Sequence, residues 1–531
     1  MAWTLPAFLD PLPLPRRLRP VSAGPGARAT RIARLCADRV FAVETSGLTL
    51  RQLAAVARRE LRADRSPAAA RLDTLALAAV AAQRSLGMRP HLPQLTAAVL
   101  AWTGRAAELP AGEGKTLALA LAAVVHALSG TPVHLVHRDD RIATRRAEAM
   151  RPLFDALGIP MAVLQPDDEP PARRNAYASA VCYASARDLI FDSLRAGSPP
   201  VEPFGFRAPE GVAALLDDLD TILVDGATTP YRLVDPEEPA DPDDSHAAAP
   251  GRDAGHAAIA RTTAQHYFRR YATLGGLAAT LVESRAELAA VYRLAVARIG
   301  SIYPDFRQDL GTRVVHGKVP LKARLISRIG ALRAARRPVL VVAADCDIWA
   351  VAAVLADAGI PASLLDALPL EAADAVLAEA GRPGAVTLCA CGADVCVALD
   401  PVARAAGGLA VVVIGIGPSR RDDRRLRQLC GRQGHPGSIE FLVDVTMPSP
   451  ATVQPMPLAA TLLSLPLPAW LALATVRVDR RWRERQAQRR RRRLGRQALP
   501  TQATAMPAET LPCPETNNPR MLSPPHGLGT R

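Results

Sequence analysis

Lysine is almost missing from this chain. Of 65 basic residues among 531, only Lys115, Lys318 and Lys322 are lysine. Against that background a surviving lysine marks a place where a compact ammonium, rather than a planar guanidinium, is needed. Aromatic residues are scarce too, at 4%, so the cores must be packed from Ala, Leu, Val and Ile. The eight cysteines follow no disulfide spacing, and Met1–Pro20 holds five prolines but no apolar signal core. A secreted disulfide scaffold is therefore excluded, and free thiols in a reducing cytoplasm are expected. Cys389, Cys391 and Cys396 lack the fourth ligand that a zinc site takes at usual spacing, so buried strand thiols are the better reading. Val445–Val476 carries no charge over 32 residues, but six prolines interrupt it. A linker leading into a helix is expected there, not a membrane span.

What is present is a basic excess concentrated at one end. The net charge is +14, yet Arg477–Arg496 holds eleven arginines against Asp479 and Glu484, a local +9. The rest of the chain is nearly balanced, so the basicity belongs to this segment and not to a face of the core. Arg489–Arg493 reads as the solvated side of a charged helix or as a contact for anionic lipid head groups. Nucleic acid is the less favoured partner.

From about Leu72 to Val445, short apolar runs alternate with helical stretches. Val133–His137, Met161–Leu164, Val212–Leu216 and Val339–Val342 are such runs, and Thr144–Leu157 has helical spacing. Alternation of this kind predicts parallel sheets in an α/β fold. Two blocks, about 72–230 and 335–445, suggest two related domains. A helical segment over 1–71 precedes them, 231–258 is an acidic, proline-rich linker, and 259–334 returns to the first domain and connects to the second. Residues 446–531 form a Pro-rich linker, an Arg-rich helix and a disordered tail.

One motif carries chemistry. Ala111-Gly112-Glu113-Gly114-Lys115-Thr116 follows a short apolar run and opens an apolar helix. Glycines there let successive N–H groups turn inward and cradle phosphate oxygens. Gly112, Glu113 and Gly114 would line that cradle, Lys115 would reach the β- and γ-phosphates, and the Thr116 hydroxyl would hold Mg²⁺. Leu109 occupies the first glycine position of the strict pattern, so the looser helicase-type form is the one met. A phosphate loop also needs a metal-binding acid at the end of a second strand. Asp217-Asp218 after Val212–Leu216 supplies it, with Asp217 on Mg²⁺ and Asp218 placed to polarise the attacking water.

These residues sit within a longer likeness. The stretch Leu86–Gln94 (LGMRPHLPQ) through the phosphate loop resembles the SecA preprotein translocase motor family, whose pattern reads GMRHFDVQ and then AEMxTGEGKTL. The resemblance continues through Cys182–Arg195, Asp217–Pro230, Gln265–Tyr271 (QHYFRRY), Pro338–Val341, Ala405–Leu409, Ser419–Arg421 and Gly431–Ser438, roughly Leu72 to Asp444. It implies two RecA-like P-loop domains, a superfamily-two helicase-like motor core, with ATP and Mg²⁺ in the cleft between them. By the same likeness Met88, Arg89 and Gln94 contact adenine, and Asp394, in the remnant of a GRGTDI segment, faces the nucleotide. Arg432 matches the second arginine of GRSGR, the one that reaches the nucleotide from the second domain. The family further implies a preprotein or translocon partner and a cytoplasmic location peripheral to the inner membrane.

The departures are as informative as the matches. The family's catalytic Glu is Asp218, one methylene shorter. The first arginine of GRSGR is Leu429, TNN is Ser185–Arg187, and DEAR is Asp225–Thr228. Only the short acidic stretch stands where the family carries its preprotein cross-linking domain. ATP binding is thus expected to be better kept than rapid hydrolysis. A nucleotide-gated adaptor that no longer hydrolyses ATP is the alternative, and a nucleic-acid helicase ranks below both.

Overall fold

The structure is a computed structural model that describes residues 25–44, 47–63, 67–196, 205–234, 258–344, 346–365, 368, 370–391, 395–444 and 469–496. Residues 1–24, the acidic stretch from Asp235, the proline-broken segment at 445–468, the tail from 497 and Asp394 lie outside the described residues. Among the described residues, no helix is long and apolar enough to cross a membrane.

Fifteen strands are described. The first nine are β1 (Ala106–Glu108), β2 (Val133–His137), β3 (Met161–Val163), β4 (Val181–Ser185), β5 (Ala213–Asp217), β6 (Pro230–Val234), β7 (Ala258–Thr263), β8 (Thr273–Ala278) and β9 (Val296–Arg298). They are followed by β10 (Arg307–Val315), β11 (Val339–Ala343), β12 (Ser363–Leu364), β13 (Val386–Ala390), β14 (Leu409–Ile414) and β15 (Gly437–Asp444). Seven build one sheet in the order β3-β4-β2-β5-β8-β1-β9, and six build a second in the order β10-β15-β14-β11-β13-β12. Every pairing within these two sheets is parallel, whereas β6 and β7 form a separate antiparallel ribbon. A parallel strand is covered on both faces, which is why β2, β4 and β5 are buried along their whole length and read as mainly apolar runs, with polar residues only at His134, His137, Ser185 and Asp217. This is the two-lobed RecA-like architecture of superfamily-two motors.

The second lobe begins earlier than the alternation of runs suggests. β10, at 307–315, pairs with β15 and joins the second sheet ahead of residue 335. Its sequence, RQDLGTRVV, is half exposed and charged, so it carries no apolar run to announce a strand.

Alanine takes the place of aromatics in the core, as the composition requires. Helices Leu92–Trp102 and Lys115–Leu128 pack against the first sheet through Ala, Leu and Val, nearly all buried, and helix Pro67–Leu86 packs on Lys115–Leu128. Small residues let backbones approach closely, and β8 shows how closely. A Cβ on Gly275 would lie 2.1 Å from the Ala101 carbonyl oxygen, and one on Gly276 would lie 2.5 Å from that of Leu216.

The Arg-rich helix Ala469–Arg496 is not simply a solvated rod. It touches the second lobe through Arg480 Nη1 on Asp423 at 2.5 Å and through Glu484 on Arg420. It touches the first lobe where Arg491 holds the buried Glu287 carboxylate and its carbonyl accepts Gln265 Nε2 at 3.2 Å. Arg477, Arg481, Arg485, Arg489, Arg490 and Arg493 remain exposed.

Gly275→Ala is expected to lower the unfolding free energy by roughly 1–3 kcal/mol, the cost of overpacking against a backbone atom that cannot rotate away. Urea unfolding followed by circular dichroism checks it, and an unchanged midpoint would show that the helix–strand approach is looser than described.

Candidate nucleotide site between the lobes

β1 delivers the chain to the phosphate loop. Leu109 is fully buried, Pro110 and Ala111 turn the chain, and the helix begins at Lys115. Gly112 has φ +84 and Gly114 φ +78, both in the left-handed region that glycine enters without strain. Gly114 is required for a second reason: a Cβ there would sit 2.2 Å from Gln94 Nε2. Gln94 clamps the loop. Its Oε1 accepts the His91 N–H at 2.8 Å, and its Nε2 donates to the Glu113 carbonyl at 3.0 Å. Of the three residues expected on adenine, Gln94 thus also holds the loop, while Met88 and Arg89 lie exposed in the turn just before its helix. Burial pushes the Glu113 carboxyl up, opposed by the Ser301 hydroxyl and the Ile302 N–H, which both donate to it.

The loop and the acidic pair meet, as the motif spacing requires. Asp217 is in register with Leu277 of β8, and Leu277 with Ala107 of β1, so the acid stands one strand away from the loop. Lys115 Nζ is 3.8 Å from Asp218 Oδ1. Thr116 is the second residue of the helix that Lys115 opens. Asp217 accepts the Asp218 N–H at 3.1 Å, and its other oxygen is 3.6 Å from Nδ1 of buried His137, which stacks on Tyr183. Asp218 is held at φ +49, an uncommon conformation for a residue with a Cβ, and one that concentrates at functional turns. Burial would raise its carboxyl, but Lys115, Arg425, Arg138 and Arg146 together bring it below the usual carboxylate range. Asp218 is therefore a carboxylate at neutral pH.

The second lobe enters through helix Arg420–Arg427 and the turn after it. Arg421 binds Asp220 at 3.0 Å and also Asp225, and Asp220 in turn accepts the Thr280 hydroxyl at 2.7 Å. Arg424 spans both oxygens of Glu108 at 2.5 and 2.7 Å, beside the Leu281 and Val282 N–H groups that donate to the same carboxylate. Arg425 donates to the Thr221 hydroxyl at 3.0 Å and lies 3.9 Å from Asp218 Oδ2. Gln428 bridges the cleft: its Oε1 accepts the Ala111 N–H at 3.0 Å and its Nε2 donates to the Ala279 carbonyl at 3.2 Å. Arg432 lays its stem on the loop, since a Cβ on Gly112 would come within 3.3 Å of it, and Nε donates to the Gln428 carbonyl at 2.9 Å. A cavity of about 280 Å³ opens here, lined by Glu113, Ser301, Tyr303, Arg424, Gln428 and Arg432.

The structure thus brings Gly112, Glu113, Gly114, Lys115, Thr116, Asp217, Asp218, Gln94 and Arg432 to one cleft. Arg421, Arg424, Arg425, Gln428 and Glu108 escape sequence reasoning. The run RRDDRR looks like an exposed charged helix, and only the partners in the other lobe reveal its role. Asp225, in a segment that reads as eroded, turns out to anchor Arg421.

Fold and site define a P-loop nucleotide-binding motor core built from two RecA-like lobes. A family model described as the SecA DEAD-like domain matches residues 30–250. A "Protein translocase subunit SecA 2" from Rhodopseudomonas palustris is 31% identical, with the alignment covering 81% of this chain and 68% of that one. A protein of the same description from Nitrosospira multiformis is 27% identical over 68% of this chain and 73% of its own. "Protein translocase subunit SecA" from Nitratidesulfovibrio vulgaris is 26% identical, but the alignment spans 57% of its length. The chain belongs to the SecA family.

The Glu108 carboxylate is held below its ordinary value, because the Arg424 bond and two N–H donors outweigh the raising effect of burial. An unfolded chain therefore takes up this proton first as pH falls. Stability from this contact is complete above the ordinary glutamate value near 4.5 and is lost as pH drops toward the folded value. Arg424→Gln should lower the melting temperature at pH 7 and reduce its further fall as pH drops below 4.5. Calorimetry of both proteins across that range checks it, and parallel curves would exclude the contact.

Proposed function

We propose that this chain is an ATP-binding motor protein of protein targeting and export that works in the cytoplasm at the surface of the inner membrane and hydrolyses ATP slowly. One observation carries the reading: Lys115, the Asp217–Asp218 pair and Arg432 of the opposite lobe converge on a single cleft. The residues fit ATP and Mg²⁺. Two left-handed glycines free loop N–H groups for phosphate oxygens, Lys115 supplies the lone ammonium, and Thr116 and Asp217 are the oxygen donors a hard cation takes. Bound there, Mg²⁺ would neutralise charge on the β- and γ-phosphates.

The protein's own groups divide the work. Lys115 draws charge from the terminal phosphate, Arg432 adds a guanidinium when the lobes meet, and Asp218 orients the attacking water. Closure and chemistry are then one event, since Arg432 reaches the loop only with the second lobe docked. Asp218 is the weak point. A carboxylate one methylene shorter than glutamate holds its water out of line, and misplacement by about 1 Å can cost on the order of a hundredfold. This favours slow turnover and keeps a second reading in play, a nucleotide-gated adaptor in which binding alone sets the lobes. The relatives' descriptions support a preprotein or a translocon as partner, and the exposed arginines of 477–496 suit an anionic membrane surface. Nucleic acid is not favoured. Met88, Arg89 and Asp394 are proposed on the nucleotide from the family pattern alone.

Lys115→Ala should abolish ATP binding measured by calorimetry. Asp218→Glu should raise single-turnover hydrolysis by about tenfold or more while leaving ATP affinity within about threefold. Turnover indistinguishable from the Lys115→Ala background in both the parent and Asp218→Glu would leave the adaptor reading. Equal nucleotide affinity in the parent and Lys115→Ala would remove the ATP site altogether.

A further inference from the structure

A histidine stands against Asp217, the acid proposed to hold Mg²⁺. β2 and β5 run side by side with Val136 opposite Leu216, so the residues that end the two strands, His137 and Asp217, are neighbours. Successive side chains of a strand point to opposite faces. Val133, Leu135 and Leu215 pack in the core shared with the helix that Lys115 opens, so His137 and Asp217, two residues further on, point to that same face. His134 lies on the other face and has a purely internal use: its Nδ1 shares a hydrogen bond of 2.7 Å with the Tyr271 hydroxyl, among aromatic rings. His137 is placed differently. Its Nδ1 lies 3.6 Å from Asp217 Oδ2, and the two side chains are 2% and 7% exposed.

The imidazole is fixed in place by its neighbours. It lies parallel to the Tyr183 ring, with centroids 5.7 Å apart and planes 6° apart, and Phe154 meets Tyr183 edge-on at 6.3 Å. Burial and the nearby Asp217 push the Tyr183 hydroxyl well above the usual phenol range, so it is an uncharged platform that adds no charge to the site. Asp217 is thereby engaged at both oxygens: Oδ1 accepts the Asp218 N–H at 3.1 Å, and Oδ2 faces the imidazole. The second separation is longer than a hydrogen bond, so the contact acts through charge and dipole, which count for more where water is excluded. A proton on Nδ1, which the neutral ring and its protonated form can both carry, is drawn toward Oδ2. Carboxylates that bind metals are oriented by such neighbours, and losing the neighbour typically costs roughly 10–100-fold in metal affinity.

We propose that His137 is a positioning residue of the nucleotide site, its Nδ1 edge fixing the Asp217 carboxylate for a divalent cation that arrives with the nucleotide. This role rests on the reading of the cleft as an ATP·Mg²⁺ site and adds to it the group that prepares the metal's acid. Two variants separate it from packing. His137→Phe keeps a ring to stack on Tyr183 and removes the nitrogens, whereas His137→Asn loses the ring and keeps an N–H donor near the Nδ1 position.

ADP is titrated by calorimetry into the full chain, first in EDTA and then at increasing Mg²⁺, and ligand-free melting temperatures are recorded. In the parent, Mg²⁺ should tighten ADP binding. His137→Phe should raise the Mg²⁺ concentration for half-maximal tightening by about tenfold or more, with ADP affinity in EDTA unchanged. His137→Asn should stay nearer the parent in its Mg²⁺ dependence even though it melts lower. The reverse order, with His137→Asn the more Mg²⁺-demanding of the two, marks a packing role and overturns the proposal, as does a parent-like Mg²⁺ dependence in His137→Phe. Should His137→Phe melt too low to titrate, His137→Asn decides: a parent-like Mg²⁺ dependence supports the role, and a shift of about tenfold overturns it. A parent that binds no ADP, with or without Mg²⁺, overturns the nucleotide reading and this role with it, whereas the variant outcomes above overturn this role alone.

Discussion

Arg424 lies on the Glu108 carboxylate at 2.5 and 2.7 Å, and the relation between the two lobes follows from that contact. Glu108 ends β1, directly before the phosphate loop, and its side chain is only 3% exposed. A carboxylate so buried and left without a cation costs several kcal/mol. Two backbone N–H groups and the exposed Arg298 at 3.3 Å meet part of that cost within the first lobe. The bidentate guanidinium that completes the set comes only from the second lobe. The strand that sets the loop is thus fully satisfied only with the lobes together.

The neighbouring contacts repeat the pattern at graded strength. Arg421 is buried among Asp220, Asp225 and Asp422, so removing one partner would strand charge and weigh heavily. Arg425 approaches Asp218 at 3.9 Å with both side chains about a quarter exposed, a contact that water competes with. Gln428 is neutral and bridges the lobes by two bonds, each contributing about 1 kcal/mol. Strong contacts therefore flank the acidic pair and a weak one touches it. This grading suits a cleft that stays assembled at its edges while the reacting centre remains open to exchange.

Much of this was legible in the chain. A parallel strand buried on both faces is mostly apolar, so Val133–His137 declares itself through Val133, Leu135 and Val136 and is found at those residues. The phosphate loop is legible because its chemistry is local: glycines for the turn, one ammonium, one hydroxyl, all within six residues. Asp217 and Asp218 are readable because a strand end is the place such acids stand. Arg424 is not readable, since its partner lies 316 residues away and its own segment looks like a solvated helix. β10 escaped for a related reason, because an edge strand half open to water needs no apolar run. The Arg-rich helix was legible in charge but not in use: Arg480, Arg483 and Arg491 serve protein carboxylates, while Arg477, Arg481, Arg485, Arg489, Arg490 and Arg493 face solvent.

The scarcity of lysine returns at Asp218 with a physical meaning. Its two oxygens face two kinds of cation, Lys115 at 3.8 Å and Arg425 at 3.9 Å. An ammonium is a compact point charge on a flexible stem and can move between a carboxylate and a phosphate oxygen as either presents itself. A guanidinium is planar and holds its fork in one orientation, and Arg425 spends part of that fork on Thr221. In a chain that uses arginine almost everywhere, the position that on the proposed reading follows a moving charge keeps lysine. The position that carries a fixed charge across the cleft follows the general bias. On the proposed reading, the identities of the two cations would separate the group that tracks substrate from the group that reports closure, and both face the same carboxylate.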